Sequence, residues 1–201
     1  MTLDPAPARG RYDRSQSPQE RASEQRRRLI EATAHVVATG SASVHAISAV
    51  SQTGRNTFYA HFRDVTQATD AVVTSVVERL HAEAESALAR AVTPLETIRA
   101  IVSAWLDALG ADIVLARGAF AAAAAERRGG LSRIGTQLRN HLRRAAAEAR
   151  RHGALSTPAD ELRLLAAAAA CEALLAWYVD HPDSREDVRE LGADLLVRAL
   201  R

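Results

Sequence analysis

The stretch TGRNTFYAHF at residues 53–62 sets Arg55, Asn56, Tyr59 and His61 in close succession around two phenylalanines four apart, Phe58 and Phe62. Arginine can read guanine bidentately, asparagine can read adenine, and a tyrosine hydroxyl can reach a phosphate oxygen. Positions four apart share one face of a helix, so Phe58 and Phe62 can be buried while the polar side chains turn outward. The chain has 2 Trp, 3 Tyr and 3 Phe in 201 residues, and three of these aromatics fall in this segment. Such a concentration points to a small hydrophobic knot that presents polar groups.

Other reactive side chains are sparse. His81 and Glu85 stand one helical turn apart, a spacing that suits a metal ion and, more commonly, a surface pair. They are read here as a surface pair, with no metal expected. The lone cysteine, Cys171, sits in an alanine-rich apolar run and reads as an inert buried thiol rather than a redox sensor. A glycine-rich phosphate loop, G-x-S-x-G and H-E-x-x-H are all missing, so neither an enzyme nor a bound cofactor is expected.

Composition narrows the class. Hydrophobic residues are 47% and charged residues 25%, which suits a folded globular chain. The net charge is only +2, and all 26 basic residues are arginine. Residues 1–64 hold nine Arg against six acids, whereas the remainder is nearly balanced, so the positive excess sits entirely in the N-terminal third. One cysteine and a polar, Arg-rich start favour the cytoplasm over an oxidising compartment. The run LLAAAAACEALLAWYV at 164–179 is shorter than the ~20 residues of a membrane span and carries Glu172. It reads as a buried helix, with no membrane partner.

The elements that must carry these residues are all helical. Residues 1–20 form a disordered basic arm, rich in Pro, Gly, Ser and charge, whose Arg9, Arg11 and Arg14 could enter a minor groove. A first helix carries Leu29, Ile30, Thr33, Val36 and Val37 and stops at Gly40. Ser43 caps a short second helix with Val44, Ile47 and Val50 facing the core, and the third runs from about Gly54 to Ala60. Asp64 with Gln67 starts a long helix, and Thr93-Pro94-Leu95-Glu96 and Thr157-Pro158-Ala159-Asp160 repeat a cap, proline and acid device. The expectation is about nine helices without a sheet. Residues 21–65 make a helix-turn-helix unit and 66–201 a larger helical domain.

The segment GRNTFYAHF, after a helix ending in glycine and the short SVHAISAV helix, resembles the N-terminal domain of tetracycline-repressor (TetR) family regulators. The match lies on Thr57, Phe58, Tyr59, His61 and Phe62 and covers about residues 25–72. Gln52 stands where the family has a turn glycine, which predicts a non-glycine residue at positive φ, and Val65 stands where many members carry a phosphate-contacting lysine. The resemblance implies a double-stranded DNA contact set of Ser43, Thr53, Gly54, Arg55, Asn56, Tyr59 and His61. It also implies a ligand-binding domain and a homodimer through the last two helices, which agrees with the Ala166, Ala169, Ala170, Ala173 surface and the Val188, Leu191, Leu195, Ala199 stripe. The bulky groups available to line an effector site are Trp105, Phe120, Leu138, Leu142, Leu174, Trp177 and Tyr178, which favours a hydrophobic or aromatic small molecule. The expected function is a ligand-responsive repressor on a palindromic operator. A second reading, a helical ligand-binding or protein-interaction module with decayed DNA contacts, stays open at this point.

Overall fold

A computed structural model describes residues 17–40, 42–91, 93–126, 130–155 and 160–200. Among these the chain forms nine α-helices and no strand: α1 Pro18–Thr39, α2 Val44–Ser51, α3 Arg55–His61, α4 Val65–Arg90, α5 Pro94–Gly110, α6 Ile113–Glu126, α7 Arg133–Arg151, α8 Glu161–Asp180 and α9 Arg185–Leu200. Arg9, Arg11 and Arg14 lie outside the described residues.

Caps fix most of the helix starts. Ser17 and Glu20 form a capping box on Pro18, so the last three residues assigned to a disordered arm are instead the first turn of α1. Thr93 and Glu96 do the same at α5, as the sequence indicates. At α8 the cap is Asp160 itself, whose carboxylate accepts from the Leu162 amide, rather than a third-position acid behind Thr157. Thr157, Pro158 and Ala159 lie outside the described residues.

Two hydrophobic cores share two helices. The smaller gathers Leu29, Ala32 and Val36 of α1, Ile47 of α2, Phe58 and Phe62 around α3, and Ala68 of α4. The larger spans α4 to α9 and also takes in Ala34 of α1. Because successive positions of a helix point to different sides, α1 serves both cores at once, and α4 passes from one into the other. The small core therefore reaches past residue 65.

The α1–α6 contact is unusually close. A Cβ on Gly118 of α6 would lie 2.5 Å from both the Cα and the carbonyl oxygen of Ala34, atoms of helical backbone that cannot step aside. Only glycine lets the two helices meet at this distance.

Helix α8 is long and apolar enough to cross a membrane by length and composition alone, yet one face of it packs in the large core. The sequence reads it as buried. The structure buries Leu164, Ala168, Cys171 and Leu175 and leaves Leu162, Leu165, Ala166, Ala169, Ala173 and Trp177 exposed. Glu172, on the buried side, abuts α7 where Gly135 has no side chain, since a Cβ there would overlap its carboxylate.

Candidate nucleic-acid interface and core cluster

The short helix α3 is held from behind by its aromatics. Phe58 is fully buried and Phe62, the residue that ends the helix, is nearly so. Their ring centroids are 5.8 Å apart, and the Arg26 guanidinium of α1 lies 4.5 Å from the Phe62 ring centroid. The same guanidinium donates to the His61 carbonyl at 3.4 Å, which ties the end of α3 to α1. Tyr59 packs edge-on against Phe58 with centroids 5.5 Å apart, yet it is 58% exposed.

The turn between α2 and α3 has the expected strain. Gln52 ends α2 at φ 55 and ψ 36, the positive-φ non-glycine residue anticipated where the family has glycine. The Thr53 amide then donates to the Ser48 carbonyl at 3.0 Å, and the Thr53 and Ser51 hydroxyls lie 2.8 Å apart. This wrap of hydrogen bonds around the end of α2 sets the angle at which α3 leaves.

Arg55, Asn56 and Tyr59 are exposed together on the outer side of α3, with Gly54 exposed at its start. Thr53 is half-buried. Ser43 is exposed, and its hydroxyl accepts from the Ala46 amide at 3.2 Å, so it caps α2. His61 is half-buried and turns back towards α1, its Nε2 3.5 Å from the Gln25 side-chain oxygen. Val50, expected in the core, is 47% exposed because the inward side of α2 is filled by Ile47 with Val44 and Ala46. On its outer side α3 thus presents the Arg55 guanidinium, the Asn56 amide and the Tyr59 phenol.

The large region is different. Trp105, Phe120, Leu138, Leu142 and Tyr178 are buried in its core and Leu174 packs at its edge. Trp177 does not join them: it is 54% exposed on the outer side of α8, with its ring stacked on His181 at 3.6 Å between centroids. The larger grooves lie elsewhere. One of about 660 Å³ runs between α7 and α8 beside Arg143, Arg150 and Leu164, and a small apolar one of about 160 Å³ is lined by Leu95, Ile98, Ala149, Leu155 and Val197.

One buried polar cluster escaped the sequence reading. His141 of α7 is 1% exposed and its Nδ1 accepts from the Trp105 indole N–H at 3.1 Å. Burial first, and then the neighbouring His81, push its pKa down to about 4, so it is neutral at neutral pH. His81 of α4 stacks over it with centroids 5.7 Å apart, and Gln137 stands between the two rings. The signal was present as a histidine between Leu138 and Leu142 on the apolar side of α7. Cys171 is buried and its thiol is pushed up to about 12 by that burial, which matches the inert reading.

No family model matches the chain, and no curated protein is detectably similar to it in sequence. Solved structures are similar in fold. The fatty acid degradation regulator FadR from Bacillus halodurans aligns with a TM-score of 0.68 at 16% identity, over 93% of this chain and 97% of that one. A gamma-butyrolactone receptor described as ArpA-like gives 0.63 at 18% identity over 90% and 98%. A protein described as a TetR-family transcriptional regulator from Rhodococcus sp. gives 0.64 at 16% identity over 89% and 100%. The chain has the fold of TetR-family regulators along nearly its whole length.

Proposed function

We propose that the protein is a DNA-binding transcriptional regulator that acts as a homodimer on a palindromic operator and responds to a small apolar or aromatic effector in its larger domain. The observation that carries this reading is the exposed set Arg55, Asn56 and Tyr59 on a helix whose opposite side is anchored by Phe58 and Phe62. A short helix after a tight turn, held by its aromatic back, is suited to enter a major groove with these side chains foremost. Arg55 and Asn56 then supply base-edge contacts, and Tyr59, Thr53 and the Gly54 and Ser43 backbone supply phosphate contacts.

The dimer surface is the outer side of α8. Leu162, Leu165, Ala166, Ala169, Ala173 and Trp177 form an exposed apolar strip along α8, and Leu191 of α9 is exposed as well. Small residues along such a strip permit close helix approach, and a second copy would cover it. Val188 is buried within the chain's own core, so the stripe drawn along α9 divides between core and surface. Two copies joined in this way would present their α3 helices to successive major grooves about 34 Å apart.

Relief of repression follows from a population shift, in which the effector favours a subunit arrangement whose α3 helices no longer match that spacing. The packed surroundings of Trp105, Phe120, Leu138 and Leu142 imply that the effector site opens from a minor conformation. The site of action is the cytoplasm, where operator DNA lies. The experiment is selection of genomic fragments by the purified protein, followed by titration of the selected site at increasing salt. Sequence-selective binding that weakens with salt supports the reading. Binding to an apolar ligand without DNA affinity would instead identify a ligand-binding module on a regulator's scaffold.

A further inference from the structure

His81 and Glu85 of α4 and His141 of α7 bring three donor atoms within 4.8 Å of one another. His81 Nδ1 lies 3.4 Å from His141 Nε2 and 3.8 Å from a Glu85 carboxylate oxygen. A tetrahedral cation with bonds of about 2.0–2.1 Å sets its ligands roughly 3.3–3.5 Å apart, so these side chains could close on one without moving either helix backbone. We propose that His81, Glu85 and His141 form a binding site for a divalent transition cation of the Zn²⁺ class, with water completing the coordination. Two imidazoles and one carboxylate favour that class over Mg²⁺ or Ca²⁺, which take oxygen ligands, and over Cu⁺, which takes sulfur. His81 and Glu85 are half open to solvent, which leaves an entry path.

The proton positions decide what binding must change. The Trp105 indole N–H can only donate, so His141 Nδ1 accepts from it and the His141 proton resides on Nε2. The structure sets the Gln137 amide nitrogen 2.9 Å from that Nε2 and 3.1 Å from His81 Nδ1, and because the Nε2–H needs an acceptor, the amide turned end for end, with its oxygen in that place, bridges both rings. Without metal the cluster is thus a closed hydrogen-bonded clasp between α4 and α7. Metal binding shifts each imidazole proton to the ring nitrogen facing away from the cation, releases the Gln137 amide from its bridging position, and exchanges the Arg144 partner of Glu85 for the cation. Each ring proton stays on its own ring and no electron moves. Afterwards the His141 Nδ1–H faces the Trp105 N–H, donor against donor, so affinity falls about 10- to 100-fold below that of a site with an acceptor there.

A cation at this place would lock α4 to α7, and α4 leads directly from the three-helix head. Its action as an effector rests on the DNA-regulator reading. The binding test is read without DNA, so the two can fail separately.

Full-length protein freed of metal with a chelator is titrated with Co²⁺ and Zn²⁺. The expected result is one cation per chain at micromolar affinity, visible Co²⁺ bands of a four-coordinate nitrogen and oxygen centre, and their loss when Zn²⁺ is added. His81→Ala and Glu85→Gln, both at half-exposed positions, should each weaken binding by about 10-fold or more. Gln137→Ala removes the competing amide and should tighten it. No Co²⁺ bands, or Zn²⁺ binding unchanged in His81→Ala, overturns the proposal. So does a Gln137→Ala protein that loses thermal stability and binds neither cation, which would leave the cluster as a hydrogen-bonded clasp alone.

Discussion

The two cores differ in what fills them. The small one is built around two phenylalanines and five buried aliphatic residues, whereas the large one is mostly alanine and leucine spread over seven helices and includes Trp105. In the small core a single side chain occupies a large share of the interior, so the segment that carries the polar contacts also carries the fold. In the large core the load is distributed, and no short segment reveals its purpose. Function is therefore legible at α3 and obscure between α5 and α8.

Five substitutions press on this contrast. Phe62→Ala has the largest expected effect, a loss of about 3–5 kcal/mol from the small core with DNA binding abolished because the head no longer folds. Circular dichroism should show the large domain still melting cooperatively at higher temperature, and a single joint transition would show that the cores are not separable in this way. Leu191→Glu, on the exposed side of α9, should leave each subunit folded but convert the proposed dimer to monomer in light scattering, since a charge buried at a helix seam costs several kcal/mol. A dimer that persists would place the interface elsewhere.

Gly118→Ala tests the joint between the regions. A methyl group forced against the Ala34 backbone must part α1 from α6, at about 1–3 kcal/mol. Calorimetry should show that loss, with DNA affinity falling although every residue of α3 is intact. The smallest effects belong to the proposed reading surface. Asn56→Ala should cost about 1–3 kcal/mol on the selected operator and relax preference at one position. Tyr59→Phe removes one exposed hydroxyl, leaves the melting temperature unchanged, and should weaken all DNA sequences alike by about 0.5–1.5 kcal/mol. Should both variants bind as the unaltered protein does, the outer side of α3 is not the reading surface.

Local rules reach some features and not others. Capping residues, the stop at Gly40 and the phenylalanine spacing act within a few positions, so helix starts and the buried side of α3 follow from the chain itself. The positive φ of Gln52 belongs to the same class, because a tight turn after α2 demands it whichever residue stands there. Val50 was misplaced because an apolar residue in the last turn of a short helix can face either way, and packing by Ile47 settled it outward.

The sequence by itself determined the all-helical class, the three-helix head and the exposure of Arg55, Asn56 and Tyr59, since each depends on periodicity and capping within one or two turns. Only the tertiary structure decided that Trp177 and the alanines of α8 face outward, that Gly118 meets the backbone of Ala34, and that His141 lies against His81, 60 positions earlier in the chain. Such facts depend on which helices become neighbours. An alanine-rich helix has apolar groups on every side, so its own pattern does not select the side to bury, and that choice is made by the partners it packs against.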